Sequence, residues 1–295
     1  MRMEDLDQTR EVSGAAIEIL RTLQTFGLIW DEPVIRQSER APAYQSALDA
    51  LAASGLTYPC GCSRAETARR GRLGIEGFIY PGTCRAGLAN VRQVCSIRCR
   101  THGQTISFTD RIQGRQRQSI DEVIGDFVLR RADGLHAYQL AVVVDDAWQQ
   151  VTHVVRGADL LLSTPRQILL QQSLGLASPD YAHVPLILDT EGRKLSKSLA
   201  AAPVDPARPL PTLQRAWTLL GQEPLPTVTS VRSFWTQAIA RWRIEQVPVC
   251  PSIRLAEQPS PCLQHPVSDR NTLSGGHHFH EFSGQDTCLQ SLESG

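Results

Sequence analysis

From residue 126 onward, short apolar runs alternate with a segment of helical periodicity. The apolar runs occupy 126–130, 140–144, 151–155 and 184–188, and the helical pattern occupies 164–174. Apolar runs of this length are typical of strands that are buried on both faces, and strands that alternate with helices form mostly parallel sheets. The sequence therefore predicts an α/β fold whose parallel sheet is covered by helices on both sides.

The rest of the chain is organised differently. A helical period recurs in four further segments, 13–27, 41–54, 210–221 and 230–244. Between the first and second halves of the chain, residues 86–125 contain short strand-like runs. From residue 249 to 295, Pro, Ser, Gln, Gly and His dominate without periodicity, which predicts a disordered tail.

The composition excludes several classes of protein. The formal net charge of the 295 residues is zero, so no overall field attracts the chain to nucleic acid or to a membrane surface. No apolar run approaches the roughly 20 residues that a membrane-spanning helix needs, and the first residues lack a signal-peptide pattern. We therefore expect a cytoplasmic protein, with no membrane partner, whose eight cysteines are thiols or metal ligands.

Lysine occurs at only two positions, Lys194 and Lys197, which stand three residues apart, while every other basic residue is arginine. A compact ammonium group on a flexible stem can follow charge that develops on a phosphate, whereas the planar guanidinium is geometrically more committed. The pair therefore indicates a nucleotide-phosphate site. The alternative is a solvated surface loop.

Three cysteines in one short segment suggest a metal site. Cys60 and Cys62 are separated by one residue, Cys84 follows, and Tyr80 lies four positions before Cys84. A tetrahedral zinc site needs a fourth ligand, and no histidine lies between residues 60 and 84. The residues alone leave the fourth ligand open between the Tyr80 oxygen, a water and a nearby carboxylate. Three buried free thiols are the alternative to a metal site.

Five motifs occur in a characteristic order: 2–7, the cysteine segment 60–84, 138–146, 155–160 and 194–198. Together they resemble the glutamyl-tRNA synthetases, which are class I synthetases with a Rossmann-like, dinucleotide-type catalytic fold. Within that family the chain resembles the short paralogues, the glutamyl-Q tRNA(Asp) synthetases. The resemblance covers residues 1–248.

The resemblance implies an activity and a set of site residues. Glutamate is activated with ATP and Mg²⁺, and the glutamyl group is passed to queuosine in the anticodon of tRNA(Asp). The residues that match the family's functional positions are Glu4, Tyr138 and Arg156 for glutamate, Lys197 with Lys194 for ATP and catalysis, and Cys60, Cys62, Tyr80 and Cys84 for zinc. We also expect a monomer.

Each glutamate-binding assignment has a physical reason and a simpler alternative. A carboxylate at position 4 accepts from the substrate ammonium, the guanidinium of Arg156 donates to a substrate carboxylate, and the Tyr138 hydroxyl has fixed reach. The alternatives are a surface carboxylate for Glu4, a phenol at the edge of the core for Tyr138, and a structural ion pair between Arg156 and Asp159.

One part of the family pattern is not in the sequence. Members of the family begin with a strand, a turn and a helix that carry a histidine–glycine phosphate motif, and no His-x-Gly-His run occurs here. We therefore expect a sheet that lacks its first strand and helix, and weak formation of the adenylate. The competing hypotheses are a catalytically silent tRNA- or zinc-binding remnant and a fragment of a glutamyl-tRNA synthetase.

The resemblance also predicts four regions. Residues 1–55 are the remnant of the first half of the catalytic domain, and 56–125 are an inserted α+β subdomain that binds zinc and resembles an acceptor-binding region. Residues 126–248 form the second half with the lysine loop and helices, and 249–295 form the tail.

Overall fold

The structure, a computed structural model, describes residues 1–7, 9, 11–88, 95–195 and 204–255, all of which belong to one compact unit. The helices are α1 (Ala15–Thr25), α2 (Ala41–Ala53), α3 (Arg64–Arg70), α4 (Ile120–Val123), α5 (Tyr138–Trp148), α6 (Thr164–Ser173), α7 (Pro209–Leu219) and α8 (Val231–Arg241). The strands are β1 (Arg2–Met3), β2 (Ile35–Arg36), β3 (Thr57–Cys60), β4 (Leu73–Gly74), β5 (Gly77–Phe78), β6 (Ser96–Cys99), β7 (Thr105–Asp110), β8 (Gly114–Ser119), β9 (Val128–Arg130), β10 (His153–Gly157), β11 (Asp180–Val184), β12 (Leu186–Leu188) and β13 (Ser252–Arg254).

The parallel strands form separate pairs. Parallel pairing joins β1 to β2, β10 to β11 and β12 to β13, whereas β3, β6 and β9 form an antiparallel sheet and β7 pairs with β8 as a hairpin. The connection from β10 to β11 runs through α6, as parallel pairing requires a long crossover. The prediction of one mostly parallel sheet is therefore wrong for the described residues, because each parallel ladder contains only two strands and the other ladders are antiparallel.

The run 140–144, predicted as a strand, is the middle of helix α5. Leu140 is fully buried, and its neighbours Ala141, Val142 and Val143 are buried as well. A helix that is buried on nearly all sides loses the 3.6-residue periodicity by which a surface helix is recognised, so its sequence resembles that of a buried strand. Burial in the tertiary structure outweighs the strand preference of the three valines.

The main core lies where α2, α5 and α6 pack on β9 and β11. Its largest fully buried side chains include Tyr44, Leu51, Leu129, Leu140 and Leu170. The first residue of α5 and the last residues of β10 lie at the edge of this core, so the core fixes the positions of both.

The ordered fold extends beyond residue 249, where the tail was predicted to begin. Strand β13 pairs in parallel with β12, with Ile253 opposite Ile187, and the Ile253 side chain is buried. Three residues are too few to show a periodicity, which explains why the composition alone suggested disorder. Residues 256–295 lie outside the described part of the chain. No helix among the described residues is long and apolar enough to cross a membrane.

Candidate active site and metal centre

The structure brings Cys60, Cys62 and Cys84 together. Their three sulfur atoms lie within 4.8 Å of one another, and the Tyr80 hydroxyl is 3.3 Å from Cys60 Sγ and 3.5 Å from Cys62 Sγ. All four predicted ligands therefore surround one point. Three sulfurs and one phenol oxygen form a donor set that suits zinc in number and in softness.

Local structure explains how the four groups meet. Cys60 ends β3, which is held by β6, and Ser63 caps α3 directly after Cys62 through a reciprocal hydrogen-bond pair with Glu66. Tyr80 is buried, its ring is covered by the Arg98 guanidinium at 3.9 Å, and its hydroxyl accepts a 2.9 Å hydrogen bond from the Cys84 backbone N–H.

The surroundings of this cluster favour the neutral forms of two of its members. Burial raises the pKa of the Cys62 thiol, although Cys62 is the least buried of the three cysteines. Burial, followed by the hydrogen bonds to the cysteines, also raises the pKa of Tyr80. A bound dication would supply the positive charge that thiolates need in such a place.

Glu4, which follows β1, lies beside Arg2. The Arg2 guanidinium donates to Glu4 Oε1 at 3.0 Å and to Asp146 Oδ1 at 2.6 Å, so it joins the N-terminal segment to helix α5. Arg2 is well buried, with 14% of its side chain exposed, whereas 42% of the Glu4 side chain is exposed. One buried guanidinium therefore fixes two carboxylates, one of which remains open to solvent.

Arg156 is positioned by hydrogen bonds along one edge of its guanidinium. Its Nε donates to His183 Nε2 at 3.0 Å, and its Nη2 donates to Thr164 Oγ1 at 2.8 Å and to Gln167 Oε1 at 2.7 Å. Within the described part of the chain, Nη1 has no hydrogen-bond partner. Among the described residues, Arg156 forms no ion pair with Asp159, whose carboxylate is paired with Lys194, so the alternative of a structural ion pair with Asp159 is wrong.

Tyr138 is the first residue of α5, and it lies among these charged groups. Burial raises the pKa of its hydroxyl, Arg156 opposes that rise, and Glu4 reinforces it. Burial also raises the pKa of Asp146, and Arg2 opposes that rise. Glu4 and Arg156 thus both act electrostatically on Tyr138, which indicates that the three predicted glutamate-binding residues lie near one another.

The lysine loop is described only in part. Lys194 follows a turn at Asp189–Gly192, and its ammonium is paired with the Asp159 carboxylate. Asp159 lies three residues after Arg156, so the loop is attached to the same strand end as the candidate glutamate site. Lys197 lies outside the described residues, and its predicted role stays a prediction.

Comparison with known proteins decides the family. The profile of the family described as "tRNA synthetases class I (E and Q), catalytic domain" matches residues 1–205. A protein of Chromobacterium violaceum named glutamyl-Q tRNA(Asp) synthetase is 47% identical over 251 residues, which cover 85% of this chain and 84% of that one. The protein of the same name from Dechloromonas aromatica is 49% identical over 252 residues, which cover 84% of this chain and 84% of that one. The one from Bordetella bronchiseptica is 51% identical over 247 residues, which cover 82% of this chain and 77% of that one. The chain belongs to the glutamyl-Q tRNA(Asp) synthetase group of the class I tRNA synthetases.

Solved structures agree on the fold of this synthetase. A glutamate tRNA ligase from Elizabethkingia meningosepticum superposes with a TM-score of 0.66 at 22% identity, over 86% of this chain and 59% of that one. The glutamate-tRNA synthetase of Elizabethkingia anophelis gives a TM-score of 0.67 at 23% identity, over 86% of this chain and 60% of that one. The synthetase thus spans about three fifths of those larger structures and has their class I fold, as the motifs predicted.

Sequence reasoning missed three residues of the site. Arg2 and Asp146 lie within the recognised motifs but were given no role, and their contact spans 144 residues of sequence. His183 directly precedes the apolar run 184–188 and lies outside every segment that the sequence analysis assigned. Its only signal in the sequence is that it is a polar residue next to an apolar run.

Proposed function

We propose that this synthetase activates L-glutamate with ATP and Mg²⁺ and transfers the glutamyl group to queuosine in the anticodon of tRNA(Asp). The observation that carries the proposal is the site formed by Glu4, Tyr138 and Arg156, in a chain that is 46–51% identical to proteins named for that reaction.

The charges of the site suit glutamate. Glu4, half exposed, accepts from the α-ammonium of the substrate. The Nη1 edge of Arg156 donates to the side-chain carboxylate, a charge-assisted bond that a glutamine amide does not provide. The Tyr138 hydroxyl completes the pocket. The second lysine of the loop, Lys197, stabilises negative charge on the leaving pyrophosphate. Lys194 is paired with Asp159.

We also propose that Cys60, Cys62, Tyr80 and Cys84 bind one zinc ion. The support is the geometry of the four donor atoms and their connection to the antiparallel sheet of β3, β6 and β9. With four protein ligands the site is closed, which is typical of structural rather than catalytic zinc. The ion therefore stabilises residues 60–84 and takes no part in the transfer.

The deciding experiment measures glutamate binding and then transfer. Purified protein is titrated with L-glutamate by calorimetry in the presence of a non-hydrolysable ATP analogue, and Arg156→Ala is compared with the surface control Arg21→Ala. Arg156→Ala removes charge-assisted hydrogen bonds worth about 1.5–3 kcal/mol, so we expect its affinity for glutamate to fall roughly tenfold or more. Arg21, whose side chain is 71% exposed in a surface pair, should have no effect.

Transfer is then measured with radiolabelled glutamate, ATP and tRNA(Asp) that does or does not contain queuosine. We expect label only on the queuosine-containing tRNA. Equal labelling of both tRNAs would favour ordinary charging of the acceptor end, and an absence of glutamate and ATP binding would favour the silent remnant. Glutamate-dependent pyrophosphate exchange tests the expectation of weak adenylate formation, which stays a prediction.

A further inference from the structure

A fully buried carboxylate and a fully buried imidazole lie directly behind Arg156. Asp110, the last residue of β7, and His183, in β11, have no side-chain exposure, and Asp110 Oδ2 is 2.6 Å from His183 Nδ1. Neither belongs to the motifs by which the family was recognised. A charged group without solvent is costly unless it is fully hydrogen-bonded, so such a pair calls for a physical explanation.

The carboxylate of Asp110 is well satisfied. Its Oδ1 accepts from three backbone N–H groups, those of Ile112 at 3.0 Å, Gln113 at 2.8 Å and His183 at 3.1 Å. Burial raises the pKa of Asp110, but the hydrogen bonds from His183 and from the backbone outweigh burial and lower it overall. Asp110 is therefore an ionised acceptor, and the proton between the two side chains belongs to His183 Nδ1.

The other nitrogen of His183 faces Arg156. A guanidinium only donates hydrogen bonds, so the 3.0 Å contact between Arg156 Nε and His183 Nε2 requires a lone pair on Nε2. The two contacts select the same tautomer, with hydrogen on Nδ1 and none on Nε2. Arg156 and His183 are also register partners in the parallel pair of β10 and β11, which places their side chains on the same side of the sheet.

We propose that Asp110 and His183 are positioning residues that orient Arg156 for the substrate carboxylate. Asp110 fixes the tautomer of His183, and His183 holds the Nε edge of the guanidinium, which leaves Nη1 directed away from the pair and open to the ligand. Thr164 and Gln167 hold Nη2 on that same edge, so the guanidinium plane has a single orientation. This inference rests on the proposed role of Arg156 in binding glutamate.

The test uses Asp110→Asn, which keeps the shape of the side chain but removes its charge and reverses the tautomer of His183. Its Oδ1 can keep the three backbone hydrogen bonds, while Nδ2 replaces Oδ2 and donates to His183 Nδ1. The hydrogen of the imidazole then moves to Nε2, which lies 3.0 Å from Arg156 Nε and 3.2 Å from Thr164 Oγ1. Arg156 Nε therefore loses its acceptor. The same logic makes an aspartate beside a catalytic histidine essential in serine proteases. Asp180→Asn is the matched control, because Asp180 is an exposed carboxylate on β11, the strand of His183.

Three quantities are measured on the full chain: glutamate affinity, affinity for the ATP analogue, and melting temperature. We expect Asp110→Asn to weaken glutamate binding about tenfold while the affinity for the ATP analogue changes less than twofold. His183→Gln, whose side-chain oxygen can accept from Arg156, should bind glutamate more tightly than His183→Leu. Long-range ¹H–¹⁵N spectra should show hydrogen on Nδ1 of His183 in the wild type and on Nε2 in Asp110→Asn.

Several outcomes would overturn the inference. They are unchanged glutamate affinity in Asp110→Asn, an equal loss of glutamate and ATP-analogue binding together with a lower melting temperature, or hydrogen on Nε2 in the wild type. If Arg156→Ala binds glutamate normally, the proposed function itself fails. If Arg156→Ala binds poorly while Asp110→Asn binds normally, only the positioning role is wrong.

Discussion

The carboxylate of Asp126 should be among the most important single groups for the stability of this protein. It is fully buried and accepts from the Tyr58 hydroxyl, from the Thr101 backbone and hydroxyl at 3.0 Å each, and from the Arg85 guanidinium, whose Nη2 is 2.8 Å away. Arg85 directly follows Cys84, so this one carboxylate attaches the cysteine cluster to the strand that enters the core.

Replacing Asp126 with Asn keeps the shape and removes the charge. The amide oxygen can still accept from Thr101, but the amide nitrogen faces Arg85, which is also a donor. Breaking a buried charged pair costs about 3–5 kcal/mol, and because 43% of the Arg85 side chain is exposed and can turn to water, we expect about 2–3 kcal/mol. Asp133→Asn, in an exposed pair with Arg131, should cost less than about 0.5 kcal/mol.

The loss of unfolding free energy caused by Asp126→Asn should depend on pH. Burial raises the pKa of Asp126, and the hydrogen bonds from Arg85 and Tyr58 outweigh it, so the folded pKa is lowered. A lowered folded pKa means that the ionised form adds stability in full above the unfolded value of about 3.9, and that this stability is lost as the pH falls through the folded value. The gap between wild type and Asp126→Asn should therefore be widest at pH 7 and should narrow below about pH 4.

Urea denaturation at several pH values measures this gap. A difference of less than 1 kcal/mol at pH 7, or one that does not narrow in acid, would refute the reasoning. Equal costs for Asp126→Asn and Asp133→Asn would show that burial of the carboxylate does not matter.

Two further predictions concern the cysteine cluster. Tyr80→Phe removes one of the four proposed zinc donors and should weaken zinc affinity at least about tenfold in competition with a chromogenic chelator, whereas unchanged affinity would exclude Tyr80 as a ligand. Gly71→Ala places a Cβ 2.3 Å from the Ile79 carbonyl oxygen and 2.8 Å from that of Thr67, both of which are backbone atoms. Overpacking of this kind should lower the free energy of unfolding by about 1–3 kcal/mol, and a change below about 0.5 kcal/mol in urea denaturation would contradict it.

The cysteine cluster and several helices were predictable because their signals are local. Cys60, Cys62, Tyr80 and Cys84 lie within 25 consecutive residues, and their spacing and the family pattern indicated the cluster before the structure did. Helix α2 was predicted within one residue of its bounds because its apolar face repeats every three to four residues and a glycine follows it. In these cases the neighbouring residues in sequence are also the neighbours in space.

The features that were missed depend on distant contacts. Residues 140–144 of helix α5 were predicted as a strand because burial on nearly all sides hides the helical period. Arg2 and Asp146 meet across most of the catalytic region, and the pairing of Asp110 with His183 spans 73 residues. No pattern along the chain marks which arginine is paired with which carboxylate, because the sequence contains many of both and any of them could form such a pair.

The pairing of Arg2 with Glu4 and Asp146 affects how the proposed site distinguishes glutamate from its amide, glutamine. Arg2, Glu4, Asp146 and Arg156 together carry no net formal charge, so these four side chains exert little net attraction on an anion that approaches the site. Discrimination then comes from where one N–H edge points and not from a general positive potential. A preference for glutamate over glutamine that depends on one hydrogen-bonding edge acts only at contact distance, so added salt should leave this preference nearly unchanged.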